Sequence, residues 1–130
     1  MTKDTDHFSG HAAEYARARP TYPVGLYRWL ASITPGHALA WDVGCGNGQA
    51  TVALADHFDH VVGTDISPQQ LSEAKPHPKI DYRTGDEGTS HQADHAVDLI
   101  TAAQSAHWFD LPTFHREARR VLKPDAYRAE

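Results

Sequence analysis

The sequence predicts an α/β fold, with a parallel sheet covered by helices on both faces. Three observations carry this expectation. Short apolar runs alternate with helical patterns along most of the chain. The run at 38–43 shows little polar alternation, as a strand buried on both faces does. Glycines and acidic residues collect where the runs stop, which is where a parallel sheet presents its ligand site.

Residues 1–20 are polar and alanine-rich, and 9–19 fit a helix with Phe8 and Tyr15 as apolar contacts and Pro20 as its stop. Residues 23–33 place apolar side chains at 26, 29, 30 and 33, with Pro23 at the helix start and Thr34-Pro35-Gly36 at its end. Residues 38–43 form the first strand, and a glycine-rich loop follows. The next helix runs to about Phe58, with Ala50, Ala53, Leu54 and Phe58 inward. The second strand spans 60–66. Ser67 then caps a helix with Gln70 three residues on and Pro68 at the first helical position. Lys75-Pro76-His77-Pro78 keeps that helix short. Residues 80–84 alternate as a third strand, 88–95 read as a loop or a weak helix, and 96–103 form the fourth strand. Asp110 caps a last helix whose stripe is 111, 114, 118, 121 and 122. The expected division is an N-terminal helical segment or lid, 1–36, and a ligand-binding half domain, 37–130.

Composition narrows the function. A chain of 130 residues builds one core, and 12 Lys and Arg against 17 Asp and Glu give a net charge of −5. That balance argues against a partner recognised through a nucleic-acid backbone. No apolar run approaches the roughly 20 residues of a membrane helix, and the hydrophilic start lacks a signal-peptide core. One cysteine allows no internal disulfide, which fits a reducing cytoplasm. His91 and His95, or His57 and His60, lack further ligands at metal-site spacing, so no metal is expected.

The chemistry collects at the strand ends. Gly44, Gly46 and Gly48 follow the first strand at every second position, with Cys45 and Asn47 between them. Such a loop brings backbone N–H groups against a ligand. A dinucleotide fingerprint would need glycine where Gln49 stands, so the loop suits a ligand without a pyrophosphate, and a nicotinamide-dependent oxidoreductase is disfavoured. Cys45 reads as a small residue that fits the loop rather than as a nucleophile. Asp42 orients the loop or, through water, a ligand amino group. Asp65 ends the second strand where a carboxylate accepts both ribose hydroxyls, although an Asp there also serves simply as a turn cap. Ile66 is placed for an adenine face, and Asp86 with Glu87 for the exocyclic amine. Gln104, His107 and Trp108 follow the fourth strand and border the reacting position. His107 is a candidate catalytic base, and Trp108 a candidate aromatic wall for substrate and a cationic centre. The plainer alternative is that His107, Trp108 and Phe109 only anchor the next helix.

Five segments together resemble the class I S-adenosylmethionine-dependent methyltransferases, in the small-molecule branch of trans-aconitate methyltransferase-like and ubiquinone/menaquinone-biosynthesis-type enzymes. They are Asp-Val-Gly-Cys-Gly-Asn-Gly at 42–48, Gly-Thr-Asp-Ile-Ser at 63–67, Ala-His-Trp-Phe at 106–109, Arg-Val-Leu-Lys-Pro at 120–124 and Tyr-Ala-Arg-Ala-Arg-Pro-Thr-Tyr-Pro at 15–23. The resemblance implies a Rossmann-like fold, S-adenosyl-L-methionine as cofactor, S-adenosyl-L-homocysteine as product and a small-molecule acceptor. With the N-terminal segment folded over the site, Tyr15 and Arg19 become candidate cofactor contacts and Phe8 a candidate substrate contact. In that family Lys-Pro leads into further strands, whereas here only 125–130 follow. The sheet is therefore expected to stop at its fourth strand. That leaves an open edge, to be protected by pairing two chains as a homodimer or by the helix at 110–122 in a monomer. The alternative to an active methyltransferase is a truncated, inactive module that binds the cofactor or self-associates.

Overall fold

The computed structural model describes residues 24–102 and 109–129. The expected helix at 9–19 and the candidates Phe8, Tyr15, Arg19, Gln104, His107 and Trp108 lie outside the described residues. In order, the elements are α1 (Val24–Ile33), β1 (Leu39–Val43), α2 (Gln49–Ala55), β2 (His60–Asp65), α3 (Pro68–Ser72), β3 (Ile80–Thr84), β4 (Val97–Thr101), α4 (Leu111–Val121) and β5 (Leu122–Ala129). They build a five-stranded sheet in the order β3-β2-β1-β4-β5, with every pair parallel. The order reverses between β1 and β4, so the crevice at their carboxyl ends is the switch point where such sheets bind ligands.

Helices cover both faces, as expected. Ala40, Val61 and Leu99 pack on one side with Tyr27, Leu30 and Ala31 of α1, Leu54 and Ala55 of α2, and Phe58. Trp41, Val43, Val62 and Ile100 pack on the other with Phe114, Ala118 and Val121 of α4. Alternation of side chains along β1 and β4 is what feeds both layers. Trp41 is wholly buried, and its indole N–H donates to Thr64 Oγ1 at 2.9 Å, so its one polar group is satisfied inside the sheet.

Several expectations need correction. The helix α1 turns Tyr27, Leu30 and Ala31 inward, while Trp29 and Ile33 are exposed. The helix after the glycine loop ends at Ala55 rather than near Phe58, and Phe58 reaches the core from the turn beyond it. Asp110 stands at the N-cap of α4, but its carboxylate accepts the Thr113 hydroxyl at 2.8 Å rather than a backbone N–H.

The largest correction concerns the sheet edge. β4 is not an edge, because β5 follows α4 directly and pairs with it, from Val97↔Leu122 to Thr101↔Ala129 with an irregularity between. That irregularity takes in Pro124, which has no N–H for a ladder. Among the described residues the edge expected at the fourth strand therefore lies at β5 instead. The Lys123 ammonium adds a 2.9 Å ion pair to buried Asp98, which also accepts the N–H groups of Ala38 and Leu39.

The crossover from β3 to β4 is a loop, not a helix. It is held by α4 instead. Ser90, fully buried, gives its N–H and its hydroxyl to Glu117 Oε2 at 3.0 and 2.6 Å. Arg120 grips Glu117 with Nε at 2.9 Å and Asp94 at 2.7 Å, and donates to the Gln92 carbonyl at 2.8 Å. His91 and His95 take left-handed backbone conformations, φ 64° and 54°, that few side chains adopt. The His91 and His95 rings bond the carbonyls of Thr84 and Leu122 at 2.9 Å, tying the loop to β3 and β5.

Candidate cofactor site

The glycine loop joins β1 to α2 and has glycine where the backbone demands it. Gly44, Gly46 and Gly48 have φ of 69°, 59° and 86°. At Gly46 an added Cβ would meet only Gln70 Oε1, at 3.7 Å, so the space above it is open. Gly46→Ala is therefore expected to cost only backbone strain, about 1–2 kcal/mol in urea denaturation. A loss well beyond that would show that the space is filled.

Two carboxylates hold this loop. Asp42 is buried under it and accepts the hydroxyls of Thr51 in α2 and Thr101 in β4, at 2.8 and 3.0 Å. Burial pushes its carboxyl up to about 6, the two threonine hydroxyls pull the other way, and the nearby Asp65 charge adds to the rise. Asp65 ends β2, with Oδ2 accepting the Gly46 N–H at 2.8 Å and Oδ1 the Ser67 N–H at 2.9 Å. A carboxylate has about four lone-pair sites, so each oxygen retains capacity for a further donor. Ile66 is 73% exposed, separated only by half-buried Asp65 from the four buried residues of β2.

The remaining candidates fall around this centre. Cys45 is buried, and burial with the Asp42 and Asp65 charges pushes its thiol upward, away from the thiolate a nucleophile needs. Asn47 is exposed in the loop. Asp86, at the end of β3, accepts the Gly88 N–H and the Thr89 hydroxyl at 2.9 Å. Glu87 reaches across to accept the Asp110 N–H at 2.6 Å, joining the end of β3 to the start of α4. The structure thus brings Asp42, the glycines, Asp65 and Ile66 together, and turns Asp86 and Glu87 partly to holding their own loop.

Sequence reasoning missed Thr51, Thr101 and Tyr82. Thr101 could have been found, because a strand that ends in Thr beside an acidic neighbour strand supplies a hydroxyl; Asp42 and Thr101 are register partners.

These residues fit S-adenosylmethionine in their donor chemistry. A carboxylate with spare acceptor capacity suits a ribose diol, and an exposed isoleucine beside it suits a purine face. The loop is open above Gly46 and carries no lysine or arginine that would mark a phosphate site. Among the described residues no group of His, Cys, Asp or Glu could hold a metal ion, and no helix is long and apolar enough to cross a membrane.

Comparison with known proteins agrees with the architecture. A protein of Dictyostelium discoideum named as a methyltransferase is 40% identical over 127 residues, covering 94% of this chain and 47% of that protein. The malonyl-[acyl-carrier protein] O-methyltransferase of Dechloromonas aromatica is 34% identical over 123 residues, covering 85% and 45%. A solved structure from Anaeromyxobacter dehalogenans, named as a type II methyltransferase, superposes with a TM-score of 0.80 at 40% identity, covering 84% of this chain and 47% of that one. The chain thus spans about half the length of the curated relatives it matches. Residues 41–129, from the centre of β1 to the end of β5, match the methyltransferase domain family, and with the same parallel sheet and strand-end loop the chain belongs to that family.

Proposed function

We propose that the chain binds S-adenosylmethionine at the carboxyl ends of β1, β2 and β3, and forms the cofactor-binding part of a methyltransferase for a small-molecule acceptor. The observation that carries this reading is Asp65, a half-buried carboxylate that pins the glycine loop through Gly46 while keeping acceptor capacity beside exposed Ile66. When bound, the cofactor supplies a methyl group already activated on a sulfonium, so the chain's task is binding, orientation and exclusion of water. Asp65 takes the ribose hydroxyls and Ile66 one face of the adenine. Asp86 and Glu87 line the amine edge, and the glycine loop over Asp42 receives the amino-acid end. Gln104, His107 and Trp108 are assigned to the reacting side by their place in the sequence after β4, with His107 as the base for a hydroxyl or amine acceptor. Tyr15, Arg19 and Phe8 are assigned to a segment closing over the site. A small acceptor is supported by the net charge of −5, which disfavours a nucleic-acid substrate. A cytoplasmic setting is supported by the single cysteine.

Calorimetric titration with S-adenosylhomocysteine tests the proposal. Wild type is expected to bind, Asp65→Ala to weaken binding about 10- to 100-fold through lost charge-assisted hydrogen bonds, and Ile66→Ala to weaken it without moving the melting temperature. A folded chain that binds nothing sinks the reading. The rival reading is a module that holds the cofactor without turnover. Cofactor retained with no S-adenosylhomocysteine formed across acceptor classes would favour that rival.

A further inference from the structure

We propose that Tyr82 is a positioning residue for the glycine loop, its ring forming the floor that holds Gly48, and so the amino-acid end of the ligand, at the height the site needs. Tyr82 lies mid-strand in β3, and the register puts Asp42, Gly63 and Tyr82 in one row across β1, β2 and β3. Laterally paired residues project to the same side of a sheet, so Tyr82 and Asp42 share the face that carries α2. Gly63, between them, has no side chain, and its neighbours fill the space. A Cβ there would lie 3.0 Å from Cys45 Sγ, 3.2 Å from Thr51 Cγ2 and 3.2 Å from Tyr82 Cδ1. The Tyr82 ring crosses this gap and reaches the loop from below. A Cβ on Gly48 would collide with its hydroxyl and come within 3.0 Å of Cε1 and Cζ. The hydroxyl donates to the Lys75 carbonyl at 3.2 Å, which ties the far end of the ring to the stretch between α3 and β3.

Each residue in this stack explains its neighbour. Gly63 is glycine so that the ring has room beside it, and Gly48 is glycine because it bends at φ 86° and rests on the ring. The contact sets the height of the last loop glycine, whereas Asp65 fixes the middle one through its N–H. Tyr82 needs no contact with ligand for this role. Its action on ligand rests on the proposed cofactor site, whereas its action on the loop does not.

Two readouts separate these parts. Amide exchange in ligand-free protein is expected to speed up at 44–48 in Tyr82→Ala and to stay near wild type in Tyr82→Phe, which keeps the ring. A loop that holds its binding shape only about a tenth of the time binds about tenfold more weakly, so Tyr82→Ala is expected to lose roughly that much affinity for S-adenosylhomocysteine. Adenosine lacks the amino-acid end, and its affinity, set at Asp65 and Ile66, is expected to stay unchanged. Should Tyr82→Ala fail to fold, Tyr82→Leu, which removes the ring but keeps an apolar side chain in the gap, carries the same expectations. Unchanged exchange at 44–48 in a folded variant overturns the proposal. So does an equal loss for both ligands, which would mark general destabilisation. A wild-type chain that binds neither ligand defeats the cofactor reading, and the exchange measurement still decides whether Tyr82 holds the loop.

Discussion

Glu117→Ala is expected to lower folding stability by about 2–3 kcal/mol, more than any surface substitution on this chain. The residue is 9% exposed, and its carboxylate accepts from Ser90 twice and from Arg120 at both oxygens. Removal leaves the Ser90 N–H and hydroxyl buried without their acceptor, about 1–3 kcal/mol by itself. The Arg120 side chain is 41% exposed, so water reclaims it, and the loss stays below that of a wholly buried ion pair. Hydrogen bonds from Arg120 foremost, with those from Ser90, hold the Glu117 carboxyl down to about 2 from 4.5 against the opposing effect of burial. Because the folded chain holds that proton less tightly than the unfolded one, the contribution is full above 4.5 and fades as pH falls toward 2. Urea denaturation of wild type and Glu117→Gln should therefore show curves that separate above pH 4.5 and converge below it. A Glu117→Ala chain within about 0.5 kcal/mol of wild type at pH 7 would show that the loop does not depend on this clamp.

Asp42→Asn is expected to act in the opposite direction, stabilising the fold at neutral pH. Burial raises this carboxyl from 3.8 to about 6, so the folded chain binds the proton more tightly than the unfolded chain. Stability from this group is then greatest below 3.8, declines as pH rises toward 6, and is flat above. The shift corresponds to roughly 3 kcal/mol of cost in the ionised state. Asparagine keeps one carbonyl for Thr51 or Thr101, while the other hydroxyl turns to accept from the amide. A net gain of about 1–2 kcal/mol at pH 7 is the expected result once the weaker hydrogen bonds are counted. At pH 4, where wild type carries the proton, the gain should shrink. The same change should weaken S-adenosylhomocysteine binding, as substitutions that relax a functional site often do. Destabilisation at pH 7 would mean that the threonine hydroxyls already outweigh the cost of burial.

The strands and the centre of the site were legible for a shared physical reason. Where an apolar run ends in Asp42 and the glycines, or in Asp65, the change from buried strand to open loop is written in residue type. Less local features left weaker marks. In α1, apolar residues lie on several sides, so periodicity marks a helix without fixing which side turns inward, and Tyr27 displaced Trp29 from the core. Asp125-Ala126-Tyr127-Arg128-Ala129 has no strand pattern; pairing with the unpaired backbone of β4 overrides propensity there. Glu117 and Arg120 stand at helical i, i+3 spacing in the sequence, but their hold on Ser90 and Asp94 depends on where a loop comes to rest. Tyr82 looked like an ordinary strand residue because its partner, Gly48, is 34 positions earlier.

The Asp98 carboxylate that receives the first amides of β1 lies 60 residues beyond Ala38 in the chain. The central strand therefore cannot complete its own beginning from local sequence. During synthesis β1 and β2 can emerge and pair, yet the amino end of β1 stays uncapped until β4 has cleared the ribosome. Closing so long a loop is slow compared with forming a helix, so the arrival of β4 is the step expected to govern the folding rate. Nascent chains stalled before residue 98 should remain open to proteases at 38–43, and become resistant only once Asp98 is free to dock.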